Sequence, residues 1–545
     1  MPEFNVAEIH EAIAASRPDA ECLVFRDRRY TWAQVTERTR RLANYLIAQG
    51  LGCTTERSDL AQHESGQDHL GIYLTNGNEY LECMVGAFKA RVAPFNVNYR
   101  YVAEELLYLL NDSGATAIVY SGAFASTLET VLPQLPKLRV LIQVADDSGA
   151  HLLPGAVEYE AALASVTADR PAVTWSPDDL YILYTGGTTG MPKGVLWRQA
   201  DAFSGCFGGG EPASVHEVLA GALGGSPTLP APPFMHGAGH WISFMAWNRG
   251  NAVHVQSIPD RLEPSDVLGI VQREAIGLLL IVGDAFGRPI LDELDATAAA
   301  GTPYDLSKLA AIISGGAALS APLKQRFLNH APHLMIIDGL GSSEAGGQSS
   351  QISMAGAPPT TGTFPLVPGN VVLSDDLTRV LGAGDPEVGW LAKSGRLPLG
   401  YLGDAAKSAR TWIAVDGVRY SVPGDRARLR DAQTVELHGR DSVTINSGGE
   451  KIFAEEIEAA LRNHLDVYDV VVTGRPSERW GNEVIAVVQL SAGASQDESS
   501  LSLECAKHVA RYKLPKGYVF VDKVVRSPAG KADYRWAKQI ASGDH

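Results

Sequence analysis

Cysteine is scarce in this 545-residue chain: there are five, and no two form a CxxC pair. Cys22, Cys53, Cys83, Cys206 and Cys505 are scattered, which argues against a zinc site or a disulfide framework and fits a reducing compartment. Positive charge is also short. Lys and Arg number 46 against 62 Asp and Glu, a formal net charge of −16. A partner gripped through many phosphates needs the opposite balance, so no nucleic acid is expected, and an anionic membrane surface is disfavoured for the same reason. One cationic pocket for a phosphorylated small molecule remains compatible with an acidic chain. Long apolar runs are missing too. The longest aliphatic stretch, GLLLIV at 277–282, falls far short of the roughly 20 residues a bilayer-crossing helix needs. The first residues, MPEFNVAEIHEAIAASRPDA, hold acidic side chains and no apolar core of signal-peptide length. No integral membrane segment and a cytoplasmic location are expected. There is no repeat of fixed period and no low-complexity tract.

What is present is alternation. HLGIYLTN (69–76) reads as a strand, EYLECMVGAFKA (79–90) as a helix and VAPFNVN (92–98) as an extended segment holding a proline. EELLYLLNDSG (104–114) is a helix with an Asn-Asp-Ser-Gly stop, and ATAIVYS (115–121) is again a strand. Such alternation predicts an α/β fold with parallel sheets covered by helices and ligand loops at the carboxyl ends of strands. Segments 54–69, 208–233 and 355–369 read as loops, the second with a short helical pattern. Past residue 438 the texture changes. Residues 438–464 run from strand through a glycine turn to an acidic-headed helix, 467–476 and 482–490 read as strands, and LECAKHVARYKL (503–514) reads as a helix. A compact α+β unit of about 100 residues fits this. The predicted division is 1–438, a hinge at 439–442, and 443–545.

The densest chemistry lies in TGGTTGMPKG (185–194). Glycines let the backbone approach an anion and turn N–H groups inward. Thr185, Thr188 and Thr189 add hydroxyls, and Lys193 adds charge. Hydrogen bonds to charged partners contribute roughly 1.5–3 kcal/mol each, so several could hold a triphosphate. A Walker A loop ends in Gly-Lys-Ser/Thr; here Pro192 precedes Lys193 and Gly194 follows it, so this is not a P-loop ATPase. Alone, the stretch also admits the lesser reading of a Gly/Thr-rich surface turn.

YTGGTTGMPKG resembles the phosphate loop of the adenylate-forming superfamily, which contains acyl-CoA synthetases, adenylation domains and firefly luciferase. Gly186 departs from the usual serine. Further motifs follow in the family's order: PFMHGAG (233–239), SGGAALS (314–320), DGLGSSEAG (338–346), GYLGD (400–404), VPGD (422–425), GRDSVTINSGGEKIFAEEIE (439–458) and RSPAGKADYRWAK (526–538). The resemblance spans 70–538. It implies a large N-terminal domain of stacked βα subdomains, in αβαβα layers with a small β-barrel-like subdomain, followed by a small mobile α+β C-terminal domain.

The resemblance also implies roles. Thr185, Gly186, Gly187, Thr188, Thr189, Gly190 and Lys193 would hold the β- and γ-phosphates of ATP. Gly315, Gly316, Ala317, Asp338, Gly339, Leu340 and Gly341 would border the adenine, with Leu340 replacing the usual stacking aromatic. Ser343 would donate to the α-phosphate and Glu344 would bind Mg2+, an ion that needs few protein ligands when it bridges phosphates. Asp425 and Arg440 would take the ribose hydroxyls. Lys531 would bridge acyl carboxylate and α-phosphate, where a carboxylate attacking a phosphoryl group needs positioned positive charge. Ser442 marks the hinge, and Gly448 and Gly449 would line the arm of CoA. His236 would gate between acyl and thiol sites.

For the acid, HGAGHWISFMAW (236–247) and LLLIVGDAFGRPIL (278–291) are apolar, and His236, Trp241, Phe286 and Gly339 are the expected acyl lining. Each buried methylene contributes about 0.8 kcal/mol, so an apolar slot can read chain length. The wording around the loop, VGDAF and INSGGEKIFAEEIE resembles the bacterial fatty-acid and sterol-side-chain branch. The expectation is an AMP-forming acyl-CoA ligase for a medium-chain, long-chain or bulky hydrophobic acid, with aryl acids an alternative. Its partners would be the acid, ATP and CoA, and a homodimer is admitted. Rival readings are an acyl-AMP ligase loading a carrier protein, luciferase-like oxidation of the adenylate, and a catalytically silent nucleotide binder. No carrier-domain motif follows the C-terminal unit, which favours free CoA.

Overall fold

The computed structural model describes residues 2–185, 191–447, 450–477, 480–528 and 530–543. Two eight-stranded sheets, mostly parallel, form the bulk of the molecule. In the first, Leu180–Thr185, Ala93–Asn96, His69–Tyr73, Ala117–Ser121, Val140–Val144 and Ala156–Glu158 lie side by side and parallel. Lys193–Arg198 and Gly400–Tyr401 close one edge antiparallel. In the second, Met335–Ser342, Ala311–Gly315, Leu278–Ile281, Thr228–Pro230, Val253–Val255 and Glu21–Phe25 are parallel, flanked by antiparallel Gly346–Ser353 and Arg28–Thr31. One apolar core takes Leu23 and Phe25 from the second sheet, Leu70 and Ile72 from the first, and buried faces of helices Val6–Ser16, Trp32–Ala48, Asn78–Lys89 and Gly237–Asn248.

Local chemistry explains these elements. Thr31 caps Trp32–Ala48 by accepting from Gln34 N, while Gln34 reaches back to Thr31 N: a capping box. Pro94 sits in an internal strand, where a missing N–H usually breaks a ladder. The strand is only four residues long, and toward Leu180–Thr185 it pairs only at Phe95 and Ile182.

Residues between 363 and 440 build a third, antiparallel sheet of seven strands. Its last strand, Thr434–Arg440, is followed by the 3-10 turn Asp441–Val443. The fourth sheet combines Thr444–Ser447, Glu450–Phe453, Val467–Ser477, Gly481–Leu490 and Gly517–Phe520. Its alternation is visible in one strand: Val470 and Val472 face the helix Ala454–Leu461, whereas Val471 packs toward Ala537 and Ala541 of Tyr534–Ser542.

Three expectations require correction. The stretch 208–233 is not all loop, because Thr228–Pro230 is a buried strand inside the second sheet. Thr363–Pro365, within 355–369, pairs with Thr434–Arg440. The helix expected at 503–514 is Glu498–Cys505 instead. The Asp497 carboxylate accepts from Ser500 N and starts the helix earlier, and only a 3-10 turn, Arg511–Lys513, follows. Among the described residues no helix is long and apolar enough to cross a membrane.

Candidate active site

The carboxyl ends of both parallel sheets converge with the seven-stranded sheet and with the C-terminal unit. Leu180–Thr185 pairs antiparallel with Lys193–Arg198, Thr185 opposite Lys193, so the glycine stretch connects a hairpin. Gly186, Gly187, Thr188, Thr189 and Gly190 lie outside the described residues. Lys193 Nζ stands 3.6 Å from Asp112 and 3.9 Å from Asp404. Burial opposes its charge, but Asp112, the Tyr108 hydroxyl and Asp404 outweigh it, so its pKa is raised and it stays cationic. Tyr184 and Tyr108 hydroxyls both donate to Asp112.

Beside this hairpin, Gly315 and Gly339 face each other across adjacent parallel strands. Neither presents a Cβ, which leaves a thin wall. Gly316 follows at φ +85°, and a Cβ there would stand 4.0 Å from Lys531 Cε. Ala317 is half-buried against the second sheet's core. Asp338 is buried and ion-paired with Lys324, which is fully buried and also donates to Thr360 O at 2.5 Å and Thr361 Oγ1 at 3.2 Å. Burial raises the Asp338 pKa, with Lys324 opposing. Leu340 leans on the core of the seven-stranded sheet, and a register shift at Leu340/Gly341 turns the chain toward Ser343 and Glu344. A Cβ at Gly341 would collide with Gly346 O at 2.5 Å.

Ser343 and Glu344 occupy the tight turn between Met335–Ser342 and Gly346–Ser353. Tyr401 Oη donates to Glu344 Oε1 at 3.0 Å. Opposite, Asp425 and Arg440 are paired residues on neighbouring strands, and Arg440 Nε donates to Asp425 Oδ1 at 3.1 Å. Asp425 raises the Arg440 pKa most; burial opposes, and Glu344 and Glu455 add to the rise. Lys531 arrives from the C-terminal unit. Although the residue is exposed overall, desolvation at the site and then Arg440 lower its pKa, with Glu344 and Asp425 opposing. The same lysine acts on His236, whose pKa burial first, then Lys531, His240 and Arg100, lower to about 3. His236 is therefore neutral at physiological pH, and its buried Nε2 has no partner among the described residues. It heads the helix Gly237–Asn248 as N-cap. One cluster thus gathers Lys531, Glu344, Asp425, Arg440 and His236 from distant parts of the chain.

The expected acyl residues divide. Trp241 is half-buried on the helix that His236 heads, its Nε1 donating to Tyr181 Oη at 3.0 Å. Phe286 instead lines a cleft of about 450 Å³ between the N-terminal sheets and the C-terminal unit, with Tyr99, Arg100, Tyr468 and Lys523, and Trp241 is not among its lining residues. Ser442 lies in the 3-10 turn after Arg440. Gly448 and Gly449 lie outside the described residues.

Sequence reasoning missed Lys324, Asp112, Tyr401 and Glu455. Asp112 stood in the noticed helix stop, Tyr401 in GYLGD and Glu455 in the 439–458 motif, but none had been given a role; Lys324 stood in no motif and looks like an ordinary helix residue until the fold brings it in.

Residues 10–396 match the AMP-binding enzyme family, and 456–531 match the AMP-binding enzyme C-terminal domain. The chain belongs to the AMP-binding enzyme family. Within it, the chain is 53% identical to the medium-chain acyl-CoA ligase Mig of Mycobacterium avium, over 99% of this chain and 98% of that protein. It is 38% identical to a medium/long-chain-fatty-acid–CoA/3-oxocholest-4-en-26-oate–CoA ligase of Mycolicibacterium smegmatis, over 98% and 96% of the two chains. These relatives place it in the fatty-acid and sterol branch of the adenylate-forming superfamily. The ATP-bound MatB structure from Rhodopseudomonas palustris superimposes with a TM-score of 0.80 at 20% identity, over 98% of this chain and 99% of that one, and shares the fold.

The donor set suits Mg2+ carried on a nucleotide. Among the described residues no group of three His, Cys, Asp or Glu could hold a metal. The ion would rest on Glu344 and on phosphate oxygens, as suits a cation that keeps most ligands as water and phosphate.

Proposed function

We propose that this AMP-binding enzyme is an AMP-forming acyl-CoA ligase for medium-chain, long-chain or bulky sterol-derived acids. The observation that carries the reading is the delivery of Lys531 from the C-terminal unit to the wall at Gly316, 4.0 Å from where a Cβ would stand there, within electrostatic reach of Glu344, Asp425 and Arg440. A nucleotide binder has no need of a second unit's lysine there. In the first half-reaction the acid's carboxylate attacks the α-phosphorus of ATP and pyrophosphate leaves. Lys531 offsets the repulsion between two anions as charge spreads in the transition state. Lys193, kept cationic by Asp112 and Asp404, faces the leaving phosphates. Asp425 and Arg440 orient the ribose; Gly315, Gly316, Ala317, Gly339, Leu340 and Gly341 form the thin adenine wall. Mg2+ held by Glu344 would neutralise phosphate charge.

In the second half-reaction the CoA thiol attacks the acyl carbon, the acyl–phosphate bond breaks and AMP leaves. The neutral His236 can swing without moving a charge. The cleft lined by Tyr99, Arg100 and Lys523 fits the approach of a phosphorylated thiol carrier. Residues 1–438 and 443–545 would act as the two domains, turning about 439–442 at Ser442, with Gly448 and Gly449 beside the thiol arm. Trp241 would limit the acid's depth.

The test is AMP and pyrophosphate release over a panel of fatty, sterol-derived and aryl acids, with and without CoA. AMP that depends on both acid and CoA is expected. Pyrophosphate release that CoA does not stimulate would point to a carrier protein, and no release with any acid would overturn the reading.

A further inference from the structure

The turn that carries Glu344 has no strand ladder to satisfy its carbonyls, and side chains supply the donors. Trp197 Nε1 donates to Ser343 O at 3.0 Å. Trp412 Nε1 and Ser421 Oγ donate to Glu344 O at 3.2 and 2.6 Å. Lys393 Nζ donates to Ala345 O at 2.9 Å and Gly347 O at 2.6 Å. Tyr401 adds its hydrogen bond to the Glu344 carboxylate itself, and its ring packs edge-on against Trp412 with centroids 4.9 Å apart.

These donors come from two other sheets. Trp197 and Tyr401 belong to the eight-stranded sheet that bears Lys193; Lys393, Trp412 and Ser421 belong to the seven-stranded one. Trp197 lies four residues after Lys193 on one strand, so both side chains share a face. The strand that aims the phosphate-loop lysine therefore also grips the Glu344 turn. Lys393 is notable because a lysine ammonium is committed to two main-chain oxygens of a single hairpin. Hydrogen bonds from a charged donor are the stronger kind.

We propose that Tyr401 and Lys393 are positioning residues for Glu344: Tyr401 sets the rotamer of its carboxylate, and Lys393 pins the turn's backbone, so that the magnesium-bearing nucleotide meets an oxygen already in place. The proposal rests on the ligase reading above. It assigns neither residue a contact with the reacting atoms.

The experiment uses the full chain with Tyr401→Phe, Lys393→Met and Lys393→Arg. Magnesium-dependent ATP binding is followed by calorimetry, acid-dependent pyrophosphate exchange and CoA attack on supplied acyl-adenylate are measured separately, and thermal midpoints are recorded. Tyr401→Phe should raise the magnesium concentration for half-maximal ATP binding by about 10-fold, the scale of one hydrogen bond to a charged group. CoA attack on the supplied adenylate should be unchanged. Lys393→Met should act in the same direction, and Lys393→Arg should recover most of the loss. Wild-type magnesium dependence in both Tyr401→Phe and Lys393→Met overturns the proposal, as does an equal fall of both half-reactions. If the wild-type chain consumes no ATP with any acid, the ligase reading fails, while the calorimetric titration still decides the positioning role.

Discussion

Lys531 is a single charge whose effect depends on where it is placed. The residue is exposed at the edge of the site, and an isolated exposed cation would have little consequence. Here its pKa is lowered, by desolvation first and then by Arg440, with Glu344 and Asp425 opposing. Removing it takes a cation from the space where two anions must meet. Lys531→Ala should cut pyrophosphate exchange by about 100-fold or more, the scale seen when a transition-state donor is deleted. CoA attack on supplied acyl-adenylate should persist. Equal losses in the two half-reactions would show that the lysine holds the structure rather than the transition state. Lys324 carries the opposite lesson. Its motif-free helix gives no hint of function, yet it is the fully buried partner of Asp338, the carboxylate proposed to face the adenine. An Asp expected to face an adenine amino group has part of its hydrogen-bonding capacity committed to a protein cation. The sequence shows the carboxylate and hides the cation, because the two sit on different elements.

At the scale of elements, the helices Val6–Ser16, Trp32–Ala48 and Asn78–Lys89 show how a charge can sit inside an apolar layer. Lys89 is fully buried, its Nζ 2.5 Å from Glu11 Oε1 and 2.9 Å from Thr39 Oγ1. Arg40 holds the same carboxylate from the other side. Burial lowers the Lys89 pKa to about 8 against the pull of Glu11. Removing Glu11 would leave the fully buried Lys89 with Thr39 alone, and an uncompensated buried charge costs about 3–5 kcal/mol. Glu11→Ala should lower the unfolding free energy by about that amount in a denaturant titration, and a change no larger than that of a surface carboxylate would dismiss the pair as a stabilising element. The helical pattern of 79–90 was legible from its spacing, including its end at Lys89 and Ala90. That the terminal lysine points inward was not, since helical periodicity marks apolar faces and says nothing of a cation that finds its partner on another helix. The helix at Glu498–Cys505 was misplaced for a related reason: the cap at Asp497 decided its start, while the apolar spacing of 503–514 suggested a later one.

At the scale of the whole molecule, the C-terminal unit is seated on the rest by polar ties. Arg462 Nε lies 3.6 Å from Asp284 Oδ2, Arg288 stacks on Tyr468 at 4.9 Å, and Arg440 N donates to Glu455 Oε1 at 3.3 Å. Burial, then Glu458, pushes the Glu455 pKa up to about 8. Its folded value therefore exceeds its unfolded one, near the ordinary 4.5. The folded chain holds the proton more tightly, so this contribution to stability is full below pH 4.5 and is lost as pH rises through about 8. Glu455→Gln should flatten the thermal midpoint across that window, as followed by calorimetry from about pH 5 to about pH 9. An unchanged pH profile in the variant would place the titration elsewhere. An ionised Glu455 beside Asp425 and Glu458 should also loosen the seat that brings Lys531 in, so adenylation should weaken on the alkaline side before CoA attack does.

The sequence by itself determined the α/β alternation, the glycine loop with Lys193 and the order of the motifs, and it named the carboxylates and cations that are candidates for holding a nucleotide. These are local properties: periodicity, turn residues and short spacings act over a few residues and can be read along the chain. Only the tertiary structure decided which of those groups meet. It brought Lys531 beside Glu344, Asp425, Arg440 and His236, gave Asp338 to Lys324, tied the Glu344 turn to two other sheets, and set Phe286 on the interdomain cleft apart from Trp241. Burial and charge pairing between elements far apart in sequence make those choices, because they depend on distance in space and on the water that folding removes.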